Sequence, residues 1–194
     1  APSASQCAEL RESSFLLVDS GGQYLGGTTD ITRTIPLGEV PGSYRRDYTL
    51  VLQAFIHMHS ARFPEGCTGK SLDVLSSQVM WDNYLDYKHG TGHGVGCFLN
   101  DHEGPTNFSN ASVPMEEGMV ISIEPGIYRA GMLGVRTETL VTVVRDKRSD
   151  EFGQFFRFEP LTLCPINTQA IELKMLSRSE VSWLNQYHSY VFEQ

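Results

Sequence analysis

The chain has 194 residues, of which 40% are hydrophobic and 20% are charged, the balance of a globular protein with one sizeable core. Its formal net charge of -8 opposes binding to nucleic acid or to a membrane surface, because binding phosphates needs a basic face. The longest apolar stretches, residues 119–123 and 140–144, are far shorter than the roughly 20 residues that span a bilayer, so no transmembrane segment is predicted.

The cysteines give a further indication of the compartment. Cys7, Cys67, Cys97 and Cys164 lie far apart and form no C-x-x-C pair, which argues against a zinc ribbon or a redox motif. This usage favours a reducing environment, and we expect a cytoplasmic protein. Cys97 is interpreted as a buried structural thiol, because no base is placed to make it a nucleophile.

The first predicted elements are two β-strands. An apolar run over residues 14–19 leads into a Ser-Gly-Gly turn, and a second run over residues 28–35 is rich in β-branched residues. Four glycines lie between the two runs: Gly21, Gly22, Gly26 and Gly27. We predict a β-hairpin closed by a glycine-rich loop.

Two amphipathic helices are predicted next. Apolar residues recur at helical spacing over residues 44–63, and a second helical pattern runs from residue 71 to about residue 84. Residues 88–105 differ, because glycine and histidine recur there in a way that suits neither a stable helix nor a plain strand. This segment is interpreted as irregular backbone that carries a site.

The rest of the chain completes the predicted architecture. Three strands are expected at residues 119–124, 134–144 and 155–163, and a last helix begins near residue 178 with a capping box at Ser177 and Glu180. The order ββααβββα predicts one domain over residues 1–194, of the α+β class, with a curved, mostly antiparallel sheet backed by helices.

Four carboxylates and one histidine fall where a strand interior or a glycine-rich turn would bury them: Asp19, Asp30, His93, Glu124 and Glu138. Burying an ionised carboxylate is costly unless it is paired, and few cations lie nearby in the sequence. Two divalent metal ions would supply the missing charge. The oxygen-rich donor set favours manganese, with cobalt or iron as substitutes, over a tetrahedral zinc site of sulfur and nitrogen.

The strand pattern also predicts how two of these carboxylates are presented. Pro125 and Gly126 follow Glu124 and end its strand, which places that carboxylate at a rim that substrate can reach. Arg136 and Glu138 are predicted to point to the same side of the next strand.

Five segments of this sequence carry a resemblance to a known family. They are DSGGQYLGGTTDITRT at 19–34, HGTGHGVG at 89–96, NDHEGP at 100–105, IEPG at 123–126 and VRTE at 135–138. They closely resemble aminopeptidase P of the pita-bread metallopeptidase superfamily, in its cytosolic form, from about residue 14 to the end. The resemblance implies the pita-bread fold and a dinuclear centre, usually of manganese.

The resemblance implies a role for each ligand. Asp30 and Glu138 bridge the two metal ions, Asp19 chelates one of them, and His93 and Glu124 bind the other. Five ligands in the right order and context form a specific signal, whereas a single Asp-x-Gly is a weak one.

The resemblance also implies three catalytic residues. His89 and His102 lie outside the metal shell, where they hold the peptide carbonyl and stabilise the charge that develops on its oxygen. Glu124, at the metal, takes the proton of the attacking water and returns it to the leaving nitrogen.

These features predict an Xaa-Pro aminopeptidase, which removes the first residue of peptides with proline in second position. Two alternatives stay open. A prolidase shares the ligands but cleaves only dipeptides, and a pita-bread module without metal binds peptides or proteins without catalysis. Peptides with a penultimate proline are the expected partners, and a homodimer is left open.

Taken singly, each site residue also has a structural interpretation. Asp19 would form a turn, His93 would be a surface residue of a glycine loop, and Glu138 would face solvent and pair with Arg136. For His57, His59 and His188 on helices, the structural interpretation is preferred, and no role is assigned to them.

The family's catalytic domains begin several tens of residues earlier than this chain. The missing part normally carries a further substrate-side histidine, and here no histidine precedes His57. We therefore expect the chain to be a fragment whose upstream segment is one of its partners.

Overall fold

The structure is a computed structural model that describes residues 7, 9–98, 100–148 and 151–194. Strands and helices are interleaved through these residues, which confirms the predicted α+β class. The strands are β1 Ser14–Tyr24, β2 Gly27–Leu37, β3 Arg62–Pro64, β4 His93–Val95, β5 His102–Asn107, β6 Val120–Ile123, β7 Gly126–Arg129, β8 Leu133–Arg136, β9 Thr139–Arg145 and β10 Phe155–Pro160. The helices are α1 Gly42–His59, α2 Gly69–Leu72, α3 Val74–Trp81 and α4 Arg178–Glu193.

The strands form three sheets, and every strand pair within the described residues is antiparallel, as predicted. The largest has six strands in the order β3-β10-β9-β6-β4-β5, while β1 pairs with β2 and β7 pairs with β8. Because β4 lies between β5 and β6, the histidine-rich segment is placed beside the strand that leads to Glu124.

The first hairpin is present, but its turn lies further along the chain than predicted. β1 continues through Asp19 to Tyr24, so Gly21 and Gly22 belong to the strand, and the turn is formed by Leu25 and Gly26. Asp19 pairs with Thr32, and Gly21 pairs with Asp30. The two aspartates therefore sit near each other along one hairpin.

The central helix α1 supplies much of the core. Val51, Leu52, Phe55 and Met58 are fully buried along it, at the spacing of a helical stripe. The predicted end at residue 63 was wrong, because the helix stops at His59 and residues 62–64 form β3. This short strand pairs with β10, which packs the Phe63 ring against the rings of that strand.

The predicted helix over residues 71–84 is divided into two. α2 begins at the Thr68 cap, whose side chain accepts a hydrogen bond from the Ser71 N–H, and α3 starts after Asp73. Tyr84 lies beyond the end of α3 and adopts a left-handed backbone conformation with φ of 57°. The helical spacing of apolar residues did not reveal this interruption, because Leu72, Val79 and Met80 are buried at helical spacing across the two pieces.

The predicted strand over residues 134–144 is also two strands, and β7 was missed. Residues up to Arg136 pair with β7, whereas residues from Thr139 pair with β6. Between them the Glu138 N–H donates to the Thr32 carbonyl of β2 at 3.1 Å. Glu138 thus lies at the break between two sheets and not inside a strand.

The β7–β8 hairpin is held to α1 by an ion pair. The Arg129 guanidinium donates to the carboxylate of Asp47, a residue that is only 2% exposed, with Nη2 and Oδ1 3.0 Å apart. This contact fixes the position of Tyr128, the residue that precedes Arg129 in the strand.

The remaining predictions were confirmed in part. Residues 88–105 are largely irregular, as expected, with the short β4 and the start of β5 inside them. The predicted strand over residues 155–163 ends earlier, at Pro160. The helix α4 begins with the predicted capping box, in which Ser177 and Glu180 each bond the other's main chain.

No helix in the described part of the chain has the length and apolar character that a bilayer span requires. Cys67, Cys97 and Cys164 are free thiols. Cys97 is exposed, so the prediction that it is buried was wrong. It lies two residues beyond β4, a strand that is itself only partly buried.

His59 is a buried titratable residue outside the histidine-rich segment. It packs edge-on against the Trp183 ring at 4.9 Å, and within the described residues its Nε2 makes no hydrogen bond. Burial lowers the pKa of His59 to about 4. Its folded-state pKa therefore lies below the unfolded value of about 6.5, so the unfolded chain binds one more proton between these limits.

This difference predicts that His59 contributes to acid sensitivity. As the pH falls from about 6.5 to 4, the protein should lose up to about 3 kcal/mol of unfolding free energy because of this residue. The variant His59→Phe, which cannot take up the proton, should show a correspondingly flatter dependence over this range. Urea unfolding at a series of pH values, followed by Trp183 fluorescence, measures it. Parallel pH profiles for the two proteins would contradict the prediction.

Candidate metal centre

Three of the predicted ligands converge where β2, β4 and the break between β8 and β9 meet. Asp30, His93 and Glu138 each present a ligand atom, and these atoms lie within 4.8 Å of one another. His93 Nε2 is 3.4 Å from Asp30 Oδ2. Asp30 is 7% exposed and Glu138 is 1% exposed, so two carboxylates are buried together.

Glu124 adjoins this group from the end of β6. Its Oε1 is 3.3 Å from His93 Nε2 and accepts a hydrogen bond from the Ser122 hydroxyl at 3.0 Å. The Glu124 N–H donates to the Thr91 carbonyl at 2.7 Å. Because β6 stops at Ile123, Glu124 lies at the strand end, as predicted.

Asp19 is joined to the group through an arginine. The Arg136 guanidinium donates to Asp19 Oδ2, and its Nε lies 3.9 Å from Glu124 Oε2. Arg136 Nε also donates to the Thr32 hydroxyl at 3.0 Å, and that hydroxyl donates to Glu138 Oε2 at 2.6 Å. Arg136 thus serves as the fixed cation among three carboxylates.

The structural interpretations of single site residues do not hold. Asp19 lies within a strand opposite Thr32, so it forms no turn, but its side chain is 49% exposed, and the prediction that it is buried was wrong. The His93 side chain is 13% exposed and sits on β4. Glu138 is buried and bonded to Thr32, while Arg136 pairs with Asp19 instead. A break separates Arg136 from Glu138, so the prediction of a single strand was wrong, but both side chains reach the Thr32 hydroxyl and thus face the same group, as predicted.

The two substrate-side histidines lie beside the group. The His102 ring stacks on the His93 ring with centroids 3.6 Å apart, and His102 Nε2 is 3.7 Å from Asp101 Oδ2. His89 Nε2 shares a hydrogen bond of 2.9 Å with the Tyr128 hydroxyl. Both histidine side chains are exposed, and both border the same cavity.

Sequence reasoning missed Asp101 and Tyr128 and left Arg136 as a mere alternative partner. Asp101 completes a second set of potential ligands with His93 and His102, again within 4.8 Å of one another. Tyr128 accepts a hydrogen bond from Arg136 Nη1 at 3.0 Å and so links that cation to His89. The position of Arg136, two residues before a candidate ligand, was the one available signal.

The protonation of the group reflects its excess of negative charge. Burial, followed by the charge of Glu124, raises the pKa of Glu138 to about 8. Burial also raises the pKa of Glu124. Burial lowers the pKa of His93, but its hydrogen bond with Asp30 and the neighbouring charges outweigh this and raise it to about 9. Protons on Glu138 and His93 therefore offset negative charge that a divalent cation could offset in their place.

The donor set suits divalent cations bound mainly through oxygen. Carboxylates and one imidazole match manganese, cobalt or iron better than a sulfur-rich zinc site. Thr32 and Ser122 hydrogen-bond Glu138 and Glu124, which gives these carboxylates the outer support that metal ligands usually have.

A cavity of about 530 Å³ opens beside the group. Its wall includes both substrate-side histidines, Glu124, Tyr128 and Arg136. A cavity of this size suits a short peptide or another small ligand. Two candidate ligands, His93 and Glu124, therefore border a space that a substrate could enter.

Gly92 permits the approach of the histidine-rich segment to β6. A Cβ atom at this position would lie 1.8 Å from the Ser122 carbonyl oxygen, which no contact can tolerate. The next residue, His93, donates its N–H to the Ser122 hydroxyl at 2.9 Å. The position of the His93 imidazole thus depends on residue 92 being a glycine, which has no Cβ atom.

Comparisons with known proteins show the family of this chain. The sequence pattern of "Metallopeptidase family M24" matches residues 1–145, and that of the C-terminal region of the same peptidase matches residues 154–194. The chain belongs to metallopeptidase family M24.

Two relatives that match almost the whole of this chain are named as aminopeptidases. The protein named "Probable Xaa-Pro aminopeptidase P" from Tuber melanosporum is 44% identical over 99% of this chain and 32% of its own length. The X-prolyl aminopeptidase of Caenorhabditis elegans, described as cytosolic with a di-nuclear active site, superposes with a TM-score of 0.93 at 36% identity, over 99% of this chain and 32% of that one.

A prolidase is also similar, though less so. The Pyrococcus furiosus enzyme gives a TM-score of 0.63 at 34% identity, over 75% of this chain and 41% of that one. The likeness to the C. elegans structure confirms the predicted pita-bread fold. The chain spans about a third of the length of the aminopeptidases it matches.

The packing at Gly92 predicts the effect of one methyl group. Gly92→Ala should weaken manganese binding by at least about tenfold, because β4 must move away from Ser122 and carry His93 with it. Isothermal titration of metal-free protein with manganese measures this change. Gly26→Ala is the matched control, since a Cβ there meets nothing within 4 Å. Equal metal affinity in both variants would show that His93 does not depend on this contact.

Proposed function

We propose that this chain forms the catalytic region of an Xaa-Pro aminopeptidase that works with two manganese ions. The observation that carries the proposal is the convergence of Asp30, His93 and Glu138, with Glu124 in contact with His93 beside a cavity. The proposal concerns the complete protein, because the relatives that share this region are about three times longer.

Five residues are proposed as ligands. Asp30 and Glu138 would bridge the two ions, His93 and Glu124 would hold one of them, and Asp19 would hold the other. The burial of Asp30 and Glu138 side by side supports this assignment for the two carboxylates. For Asp19, Arg136 occupies Oδ2 and thereby orients the carboxylate.

When bound, the metal ions lower the pKa of a water molecule so that hydroxide is available near neutral pH. Glu124 is proposed as the group that takes the water's proton and passes it to the leaving nitrogen. Its Oε1 is fixed by Ser122, and burial raises its pKa, which brings it closer to the range useful for a general base.

His89 and His102 are proposed to bind the substrate carbonyl and stabilise the negative charge that develops on its oxygen. The Tyr128 hydroxyl bonds His89 Nε2, and the His93 ring supports His102 from one face. Both contacts restrict the ring orientations before substrate arrives, which reduces the cost of ordering them.

The charge of the cavity wall favours an aminopeptidase over a dipeptidase. A dipeptide places a free carboxylate directly after its proline, and this group needs a cation. Among the described residues that line the cavity, Arg136 is the only lysine or arginine, and it is engaged by Asp19, Thr32 and Tyr128. A longer peptide has a neutral peptide bond at this position.

The rival without catalysis would be a pita-bread module that binds peptides and no metal. Retention of Asp30, Glu124 and Glu138 around His93, with their side chains largely out of solvent, speaks against it, because such a group is costly without cations. We also propose a cytoplasmic location, on the strength of the cytosolic C. elegans relative and the free thiols Cys67, Cys97 and Cys164.

The proposal predicts metal-dependent release of the first residue from Ala-Pro-Ala by the complete protein. Manganese-loaded protein should hold two ions per chain by elemental analysis and should cleave the tripeptide with a higher kcat/KM than Ala-Pro. Removal of metal by a chelator should abolish turnover, and added manganese should restore it. Turnover that survives complete metal removal would sink the proposal, and preference for Ala-Pro would favour a prolidase.

A second prediction concerns the proton acceptor. Glu124→Gln keeps the size of the side chain and removes its basicity, so kcat should fall by at least about a hundredfold even where metal is retained. The assay uses Ala-Pro-Ala with excess manganese, and metal occupancy is measured on the same sample. Glu117→Gln, at an exposed position paired with Arg145, is the matched control. Near-normal turnover by the occupied Glu124→Gln variant would show that another group accepts the proton.

A further inference from the structure

A short loop forms part of the wall of the cavity beside the candidate metal ligands. It comprises residues 107–111, from the last residue of β5 onwards, and Asn107, Ser109 and Asn110 border the cavity together with Gly90. None of these lining residues is charged. Neither the family resemblance nor the proposed mechanism gives this loop a task.

One side chain holds the loop in shape. The Asn107 Oδ1 atom accepts four hydrogen bonds, from the N–H groups of Ser109, Asn110 and Ala111 at 3.0, 2.8 and 3.1 Å and from the Ser109 hydroxyl at 3.1 Å. Such a bond pattern fixes a tight turn through a single acceptor. The loop is therefore ordered before any ligand binds.

The loop is also fixed relative to the candidate metal ligands. Asn107 is the β5 residue that pairs with His93 of β4. Phe108, which is fully buried, donates its N–H to the Gly92 carbonyl at 3.0 Å. The distance from the loop to His93 is thus set by main-chain pairing and by a core side chain.

The exposed residues of the loop offer neutral hydrogen-bonding groups to the cavity. Ser109 packs so closely on the histidine segment that a Cβ at Gly90 would lie 3.2 Å from its Oγ. Asn110 is exposed, and its side-chain amide makes no hydrogen bond within the part of the chain that the structure describes. An amide can donate and accept at once, which is what one peptide unit requires.

We propose that Asn110 and Ser109 form a subsite for the peptide main chain that follows the penultimate proline, and that Asn107 is the residue that positions them. The inference rests on the proposed function, because it takes the scissile bond to lie at Glu124 and His93. A peptide unit beyond proline offers a neutral N–H and C=O, which match the Asn110 amide. A dipeptide has no such unit, so this subsite distinguishes longer peptides from dipeptides.

The experiment compares two substrates of the complete manganese-loaded protein, Ala-Pro-Gly-Gly and Ala-Pro-amide. Asn110→Ala should raise KM for Ala-Pro-Gly-Gly about three- to tenfold, the worth of one hydrogen bond, and leave kcat unchanged. KM for Ala-Pro-amide should stay the same, because that substrate ends before the subsite. Equal changes for the two substrates, or none for either, would overturn the inference.

Two further variants test the positioning residue. Asn107→Ala should raise KM for Ala-Pro-Gly-Gly in the same way, whereas Asn107→Asp should restore it, since a carboxylate oxygen can accept the same hydrogen bonds. Asn185→Ala, an exposed asparagine on α4, is the matched control and should leave both substrates unaffected. A loss with Asn107→Asp as large as with Asn107→Ala would show that the shape of the loop is not what matters.

Direct binding separates this inference from the proposed function. Isothermal titration of the manganese-loaded protein with Pro-Gly-Gly and with prolinamide needs no turnover. Pro-Gly-Gly should bind at least about three times more tightly, and Asn110→Ala should remove the difference. If the protein cleaves neither substrate, the proposed function is wrong, and this comparison still decides the inference. Equal or undetectable binding of the two ligands overturns it.

Discussion

The burial of several carboxylates around one imidazole is the constraint on which the rest of this structure depends. Asp30, Glu138 and Glu124 lie against His93 where water reaches them poorly, and burial, followed by the charge of Glu124, raises the pKa of Glu138 to about 8. Such a group adds no stability to an apolar core, because removing its charges from water costs free energy. The fold tolerates it because Arg136 supplies one permanent charge and because divalent cations can supply more.

Arg136 connects the buried carboxylates to His89, one of the proposed substrate-binding histidines. Through Thr32 it acts on Glu138, and through Tyr128 it acts on His89. Tyr128 on β7 and Arg136 on β8 are held to the core by the ion pair between Arg129 and Asp47. A single hairpin thus fixes both the charge balance of the carboxylates and the orientation of a substrate-side histidine.

Close main-chain packing sets the distances from His93 to β6 and to the loop of residues 107–111. Gly92 lets the histidine segment touch β6 at Ser122, and the pairing of Asn107 with His93 ties this loop to the same point. Since neither contact involves a flexible side chain, the positions of His93, Glu124 and the loop are established during folding. A site of this kind needs little rearrangement to bind a peptide.

The sequence by itself determined the fold class, the family and four residues that meet at the site, Asp30, His93, Glu124 and Glu138, because each lies in a local pattern that is specific when all the patterns are present. The capping box of α4 and the rim position of Glu124 were likewise encoded by neighbouring residues. Only the tertiary structure decided the division of the strand at Glu138, the role of Arg136 as the shared cation and the exposure of Cys97. These depend on contacts with residues distant in the chain, such as Thr32 and Asp19, and local spacing carries no information about which distant group will lie within reach.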